Sequence, residues 1–181
     1  MTIHCEWTHL AAPCTQEFIT VDLSVMSNLT PPISGDVWTG LSKTVLPLAE
    51  ASAWAVLPSC GAVVIFNGTA RDHSFGREEV SRLEYEAYEE LVVPRLEQLA
   101  EAARKRWPDI GRIVMLHRIG ELAIGESAVV VVVSSPHRTT AFEAGKYCID
   151  TLKSTVPIWK REDWDGGSSW GLEPQHIDEI S

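Results

Sequence analysis

Two lysines, Lys153 and Lys160, stand seven positions apart on either side of a proline in the segment Leu152-Lys153-Ser154-Thr155-Val156-Pro157-Ile158-Trp159-Lys160-Arg161-Glu162. A helix that reaches Lys153 has to stop before Pro157, because proline offers no N–H and its ring clashes with the preceding turn. The chain then continues as an extended arm, which carries Lys160 back toward the space beside Lys153. Two amines that converge on one place can hold an anion. Each positive neighbour also disfavours the ammonium form, so such amines can be tuned to move protons near neutral pH. A lysine in a last helical turn is equally what the helix dipole favours, by about 0.3 to 1 kcal/mol, so Lys153 alone is ambiguous.

Further cations accompany the pair. His137 and Arg138 stand where the same helix begins, a place that Ser, Thr, Asp or Asn ordinarily caps and where a cation opposes the dipole. That placement points to a bound anion. Arg71 ends a hydrophobic strand and opens the loop Arg71-Asp72-His73-Ser74-Phe75-Gly76, the kind of strand end at which binding residues gather. Arginine suits phosphate or carboxylate because its planar fork donates two bonds at once. His73 reads equally as a solvated loop residue, whereas His117 reads as a structural residue within a strand rather than a catalytic one, and Cys60 and Cys148 as core thiols rather than sulfur carriers.

A run of elements must position these residues. Val37, Thr39 and Leu41 alternate as a strand, and Pro47 opens a helix over about 47–57 that Pro58 and Gly61 end. Ala62 to Ala70 and Val80 to Tyr88 read as strands, the second alternating Leu83, Tyr85 and Ala87 with charges, and the two are expected to pair. A helix over about 90–107 follows, with Leu91, Leu96, Leu99 and Ala103 on one stripe and Pro94 tolerated only near its first turn. Strands are expected at about 112–118, 121–124 and 127–135, the last valine-rich enough to be buried, and then a helix over about 138–154. This order lacks the regular strand–helix alternation of a doubly wound parallel sheet, so the class is α+β with a mixed, mostly antiparallel sheet.

Composition bounds the rest. The 181 residues are 45% hydrophobic and 22% charged, enough for one domain that buries roughly 70% of its unfolded surface. Residues 1–35 lack a sustained period and end in Thr30-Pro31-Pro32-Ile33-Ser34-Gly35, so they read as an extension before a domain at 36–181. Met26 would begin a shorter chain, and an edge strand near Phe18 to Val25 is the other reading of that stretch. No apolar run approaches the length of a spanning helix and no basic-then-apolar signal opens the chain, which points to the cytoplasm and away from the membrane. Four cysteines without a CxxC pair suggest neither zinc nor a disulfide framework, and no cofactor is implied. A net charge of −10 argues against a phosphate-backbone partner, so no nucleic acid is expected.

The sequence resembles the large-subunit family of molybdopterin synthase, from about Val37 to Trp170. The matching pieces are Gly61-Ala62-Val63-Val64 through Phe66 and Gly68 to Arg71, Leu83-Glu84-Tyr85-Glu86-Ala87-Tyr88, His117-Arg118-Ile119-Gly120-Glu121-Leu122, Ser135-Pro136-His137-Arg138, and Asp150 through Glu162. The resemblance implies an α/β-hammerhead type of fold and a sulfurtransferase. Its partner would be a small ubiquitin-like sulfur carrier whose C-terminal Gly-Gly thiocarboxylate gives sulfur to cyclic pyranopterin monophosphate, forming a dithiolene. It also implies a homodimer with one small subunit at each end, a dimer of heterodimers.

By the same resemblance Lys153 and Lys160 are catalytic, while Arg71, His137, Arg138 and the aromatic Phe66 line the substrate and tail pocket. Ala70 stands where valine is common, and the N-terminal extension and the short acidic stretch after Trp170 depart from the pattern. Two rival readings use the same residues. One is a non-catalytic module that clamps a protein C-terminus or a phosphate. The other is a cysteine persulfide enzyme, which would need Cys60 or Cys148 exposed among cations.

Overall fold

The computed structural model describes residues 29–74, 79–170 and 178–180. Most of the expected extension, including the alternative strand near Phe18 to Val25, lies outside the described residues. Leu29, within that 1–35 stretch, packs against the Trp38 side of the core.

The chain runs β1 (Val37–Ser42), α1 (Leu48–Ala55), β2 (Ala62–Thr69), β3 (Val80–Ala87), α2 (Glu89–Arg106), β4 (Ile113–Arg118), β5 (Gly120–Ala123), β6 (Ser127–Ser135), α3 (Arg138–Thr155), β7 (Ile158–Trp164) and β8 (Gly167–Trp170). The α+β class is observed. Among the described residues the strands form two sheets rather than one. The first has the order β1-β4-β6-β2 and is antiparallel except where β1 and β4 run parallel; the second, β5-β3-β7-β8, is antiparallel throughout.

The valine run of β6 explains the first sheet. Alternate residues of a strand point to opposite faces, so a strand that is apolar at every position needs cover on both. Val129, Val131 and Val133 join Ile113, Met115 and the apolar stripes of α2 and α3 on one face. Val130 and Val132 join Val114, Leu116 and α1 residues Ala51 and Ala55 on the other. Each such side chain contributes about 1.5–3 kcal/mol on burial, so β6 is the pivot of the fold.

The expected pairing of β2 with β3 does not occur: β2 pairs with β6, and β3 lies in the second sheet between β5 and β7. The reason lies in the two sequences. The apolar run of β2 suits a sheet with helices on its faces, whereas β3 alternates apolar and charged residues and suits one with a wet face. On that outer face Arg82 reaches Glu121 and Asp163 at 2.8 Å each, tying β3 to its two neighbours. Pro94 also stands one residue deeper than the expected helix start gives, as the sixth residue of α2, on an exposed side.

Helix α3 carries its buried residues at Ala141, Ala144, Gly145, Cys148, Ile149, Leu152 and Thr155, a period of 3.6 that lays one stripe on the sheet. Gly145 lies over Val64 of β2, where a β-carbon would sit at an ordinary contact distance of 3.4 Å. Gly120, with φ of +84°, makes the left-handed step that L side chains resist, and there the chain passes from β4 of the first sheet to β5 of the second.

Candidate functional site

The last turn of α3 and the first residues of β7 meet over the seam between the two sheets. Lys153 follows the buried Leu152 at the edge of the helix stripe, so its side chain leaves the core at the helix end. The backbone N–H of Val156 closes that end on the Leu152 carbonyl, and Pro157 prevents another turn. In β7 the side chains alternate: Ile158, Lys160 and Glu162 face inward with Leu83, Tyr85 and Ala87 of β3, while Trp159, Arg161 and Asp163 face outward with Glu86, Glu84 and Arg82. Lys160 stands directly opposite Tyr85.

Between these elements lies a cavity of about 230 Å³, lined by Lys153, Lys160, Tyr85, His117, Val129 and Ile158 among others. The two lysines predicted from the sequence thus share one cavity. Lys153 also holds its ammonium 5.9 Å from the centre of the Phe66 ring, a cation–π arrangement that places the predicted aromatic beside one of the two predicted lysines. Arg71 is exposed, two residues beyond β2. Its loop reaches strand β7 through Ser74, whose hydroxyl donates to Glu162 Oε2 at 2.7 Å.

His137 and Arg138 are not brought to this cavity within one chain. Both are exposed at the opposite end of the 18-residue α3, and the rise of about 1.5 Å per residue puts Arg138 roughly 22 Å along the axis from Lys153. The single cluster of cations expected from the sequence is therefore two groups. Lys160 likewise has a carboxylate as its near partner rather than another cation: its Nζ donates to Glu162 Oε1 at 2.6 Å.

Tyr85, His117, Ser74 and Glu162 were not singled out as site residues. His117 Nδ1 lies 2.7 Å from the Arg118 carbonyl oxygen; a carbonyl only accepts, so Nδ1 carries the proton and Nε2 keeps its lone pair. Burial holds the His117 pKa down at about 4, against the Arg118 hydrogen bond and with help from the charge of Lys153. The imidazole is neutral at physiological pH. It meets the Tyr85 ring edge-on at 5.1 Å. Burial, and then the Glu162 charge, push the Tyr85 pKa up to about 12, so the phenol keeps its proton. The sequence signal available for Glu162 was its strand period, which puts it on the face of Lys160; nothing local pointed to His117 or Ser74.

Cys148 is buried, and burial pushes its thiol up to about 12, which suppresses the thiolate that a persulfide enzyme uses. Among the described residues no group of three His, Cys, Asp or Glu side chains is placed to hold a metal, and no helix is long and apolar enough to cross a membrane. A larger groove of about 740 Å³ lies along α2, lined by Arg95, Glu101, Lys105, Arg106 and Tyr147 among others. It holds none of the predicted residues, so size is a poor guide to the site here.

The family model described as MoaE protein matches residues 41–155. Curated relatives include the molybdopterin synthase catalytic subunit of Taeniopygia guttata, 42% identical over 130 residues that span 72% of this chain and 83% of the relative. The same-named subunit of Nostoc sp. is 45% identical over 126 residues, covering 69% of this chain and 76% of the relative. Among solved structures, molybdopterin synthase from Staphylococcus aureus superposes with a TM-score of 0.69 at 35% identity, covering 74% of this chain and 96% of that one. With the sheet order, the cavity and these likenesses in agreement, the chain belongs to the MoaE family of molybdopterin synthase catalytic subunits, which act in molybdenum cofactor biosynthesis.

Proposed function

We propose that the cavity between Lys153 and Lys160 is where sulfur passes from a small ubiquitin-like carrier to cyclic pyranopterin monophosphate. The observation that carries this reading is that two amines from separate elements line one cavity walled by a neutral imidazole and a protonated phenol. At about 230 Å³ the space is smaller than ordinary small-molecule pockets, which run from about 300 to 1,000 Å³. Such a space suits a narrow, side-chain-free Gly-Gly tail better than a whole pterin, which would stand at the rim.

In this reading the thiocarboxylate sulfur forms a bond to a pterin side-chain carbon as a carbon–oxygen bond of that carbon breaks and the oxygen leaves with a proton. Water then adds its oxygen to the acyl carbon and the acyl–sulfur bond breaks, leaving the sulfur on the pterin. The carrier leaves as a carboxylate. Lys153 and Lys160 supply and take up the protons of these steps, and Arg71 offers its planar fork to the substrate phosphate. Sulfur arrives on the carrier, so neither Cys60 nor Cys148 takes part.

The homodimer completes the site. His137 and Arg138 are too far along α3 to serve the Lys153 cavity of their own chain, so a second copy supplies them. The free thiols of Cys60 and Cys148 and a labile sulfur donor both suit a reducing cytoplasm.

The test mixes the purified chain with thiocarboxylated carrier and cyclic pyranopterin monophosphate and assays dithiolene. Product is expected, and deleting the carrier's terminal Gly-Gly abolishes it. Turnover with the truncated carrier would refute the inserted tail.

A further inference from the structure

Glu162 is 4% exposed and stands at a strand position opposite the apolar Leu83 of β3. A carboxylate withdrawn from water is costly unless its oxygens are bonded, and a buried ion pair is often no more stabilising than well-packed apolar residues in its place. Glu162 therefore has a use other than stability. One of its oxygens takes the Lys160 ammonium at 2.6 Å and the other takes the Ser74 hydroxyl at 2.7 Å. Ser74 is 88 positions away in sequence and lies three residues after Arg71. The same loop is held a second time where the Val80 N–H donates to the Asp72 carbonyl at 2.8 Å.

Resting on the function proposed above, we propose that Glu162 is a positioning residue which, through Ser74, latches the Arg71 loop to the strand that carries Lys160. The group that holds the substrate anion and the group that moves its protons then share one anchor. They keep a fixed separation when the pterin binds, and Lys160 meets the reacting atoms without a search. Because the reach from Ser74 to Lys160 runs through a single carboxylate, loosening either contact disturbs both.

The test uses the full chain with thiocarboxylated carrier in excess and measures single-turnover dithiolene formation against pterin concentration for Glu162→Gln, Glu162→Asp, Ser74→Ala, the Ser74→Ala/Glu162→Gln double variant and Lys160→Gln. Glu162→Gln is expected to lower the maximum rate by about tenfold or more, since small misplacements of catalytic groups cost that much, and to raise the half-saturating pterin concentration. Ser74→Ala acts mainly on the half-saturating concentration. Glu162→Asp, long enough for one contact, recovers part of the maximum rate. The double variant loses less than the product of the single losses, because both changes break the same contact.

Thermal melts identify which variants fold, and Glu162→Asp stands in if Glu162→Gln does not. A folded Glu162 variant within about twofold of the parent in both parameters, or losses that multiply in the double variant, would overturn the latch. If Lys160→Gln is slow in the same experiment, the proposed reaction survives that loss. If Lys160→Gln is also near normal, the reaction proposed for the cavity falls and the latch with it.

Discussion

The two ends of α3 carry the same sign of charge and have opposite surroundings. At the C-terminal end Lys153 stands over Phe66 and beside a cavity walled by Tyr85 and His117, and Lys160 of the next strand joins it. At the N-terminal end His137 and Arg138 are exposed, and His137, at the cap position, makes no side-chain capping bond. A cation is welcome at a helix C-terminus and opposed at an N-terminus, so stability alone could account for Lys153 but not for Arg138. The lesson is that the end which the dipole disfavours carries a charge that helix stability does not explain, while the end which the dipole favours is the one that borders the cavity.

The comparison breaks most visibly through the lysines. Replacing Lys153 or Lys160 by Gln keeps much of the side-chain volume and removes the titratable amine, so single-turnover dithiolene formation at saturating carrier should fall on the order of 10²-fold or more. Carrier affinity, measured alongside, should fall much less. Near-normal rates in both variants would leave a clamp without catalysis.

Acid is the next probe of the walled end. The folded-state pKa of His117 lies near 4 against an ordinary 6.5, so between those values the unfolded chain binds the proton and the folded chain does not. Stability is therefore complete above about pH 6.5 and declines as pH falls toward 4, by up to about 3 kcal/mol. Denaturant titrations across that range should show a shallower acid loss in His117→Asn than in the parent. Equal slopes would mean that the imidazole is not held neutral by its surroundings.

The N-terminal end should respond as a binding group. Arg138→Ala is expected to weaken pterin binding by about tenfold, the usual worth of one charge-assisted hydrogen bond, with less effect on the rate at saturation. Because the proposed site draws that arginine from a second copy, mixed dimers of Arg138→Ala and Lys160→Gln chains should turn over faster at low pterin concentration than either variant alone, since one of their two sites holds both the arginine and the lysine. No recovery on mixing would place the arginine's role within its own chain or outside the site.

The smallest effect belongs to the middle of the helix. Lys146 pairs with Asp150 one turn on, both exposed, and exposed pairs of this spacing are worth about 0.3–0.5 kcal/mol. Lys146→Ala should leave dithiolene formation intact and shift the unfolding midpoint only slightly. A large loss would show that this face of α3 is covered in the working assembly.

What the sequence determined by itself was local. The elements from β1 through α3, the stop at Pro157, the stripe of α3 and the period that puts Lys160 and Glu162 on one face of β7 all follow from backbone sterics and side-chain spacing acting over a few residues, whereas the short strand β8 was not read. The separation of Lys153 from Arg138 was legible too, since helix rise multiplied by residue number gives it. Tertiary structure decided which faces meet. Period two assigns a residue to a side of its strand without naming the strand beside it, so the partners of β2 and β3 depended on which sheet could cover an all-apolar strand and which could leave one face wet. The contacts of Ser74 with Glu162 and of His117 with Tyr85 join residues 88 and 32 positions apart. No local pattern encodes such pairs, because they exist only once the seam between the two sheets has closed.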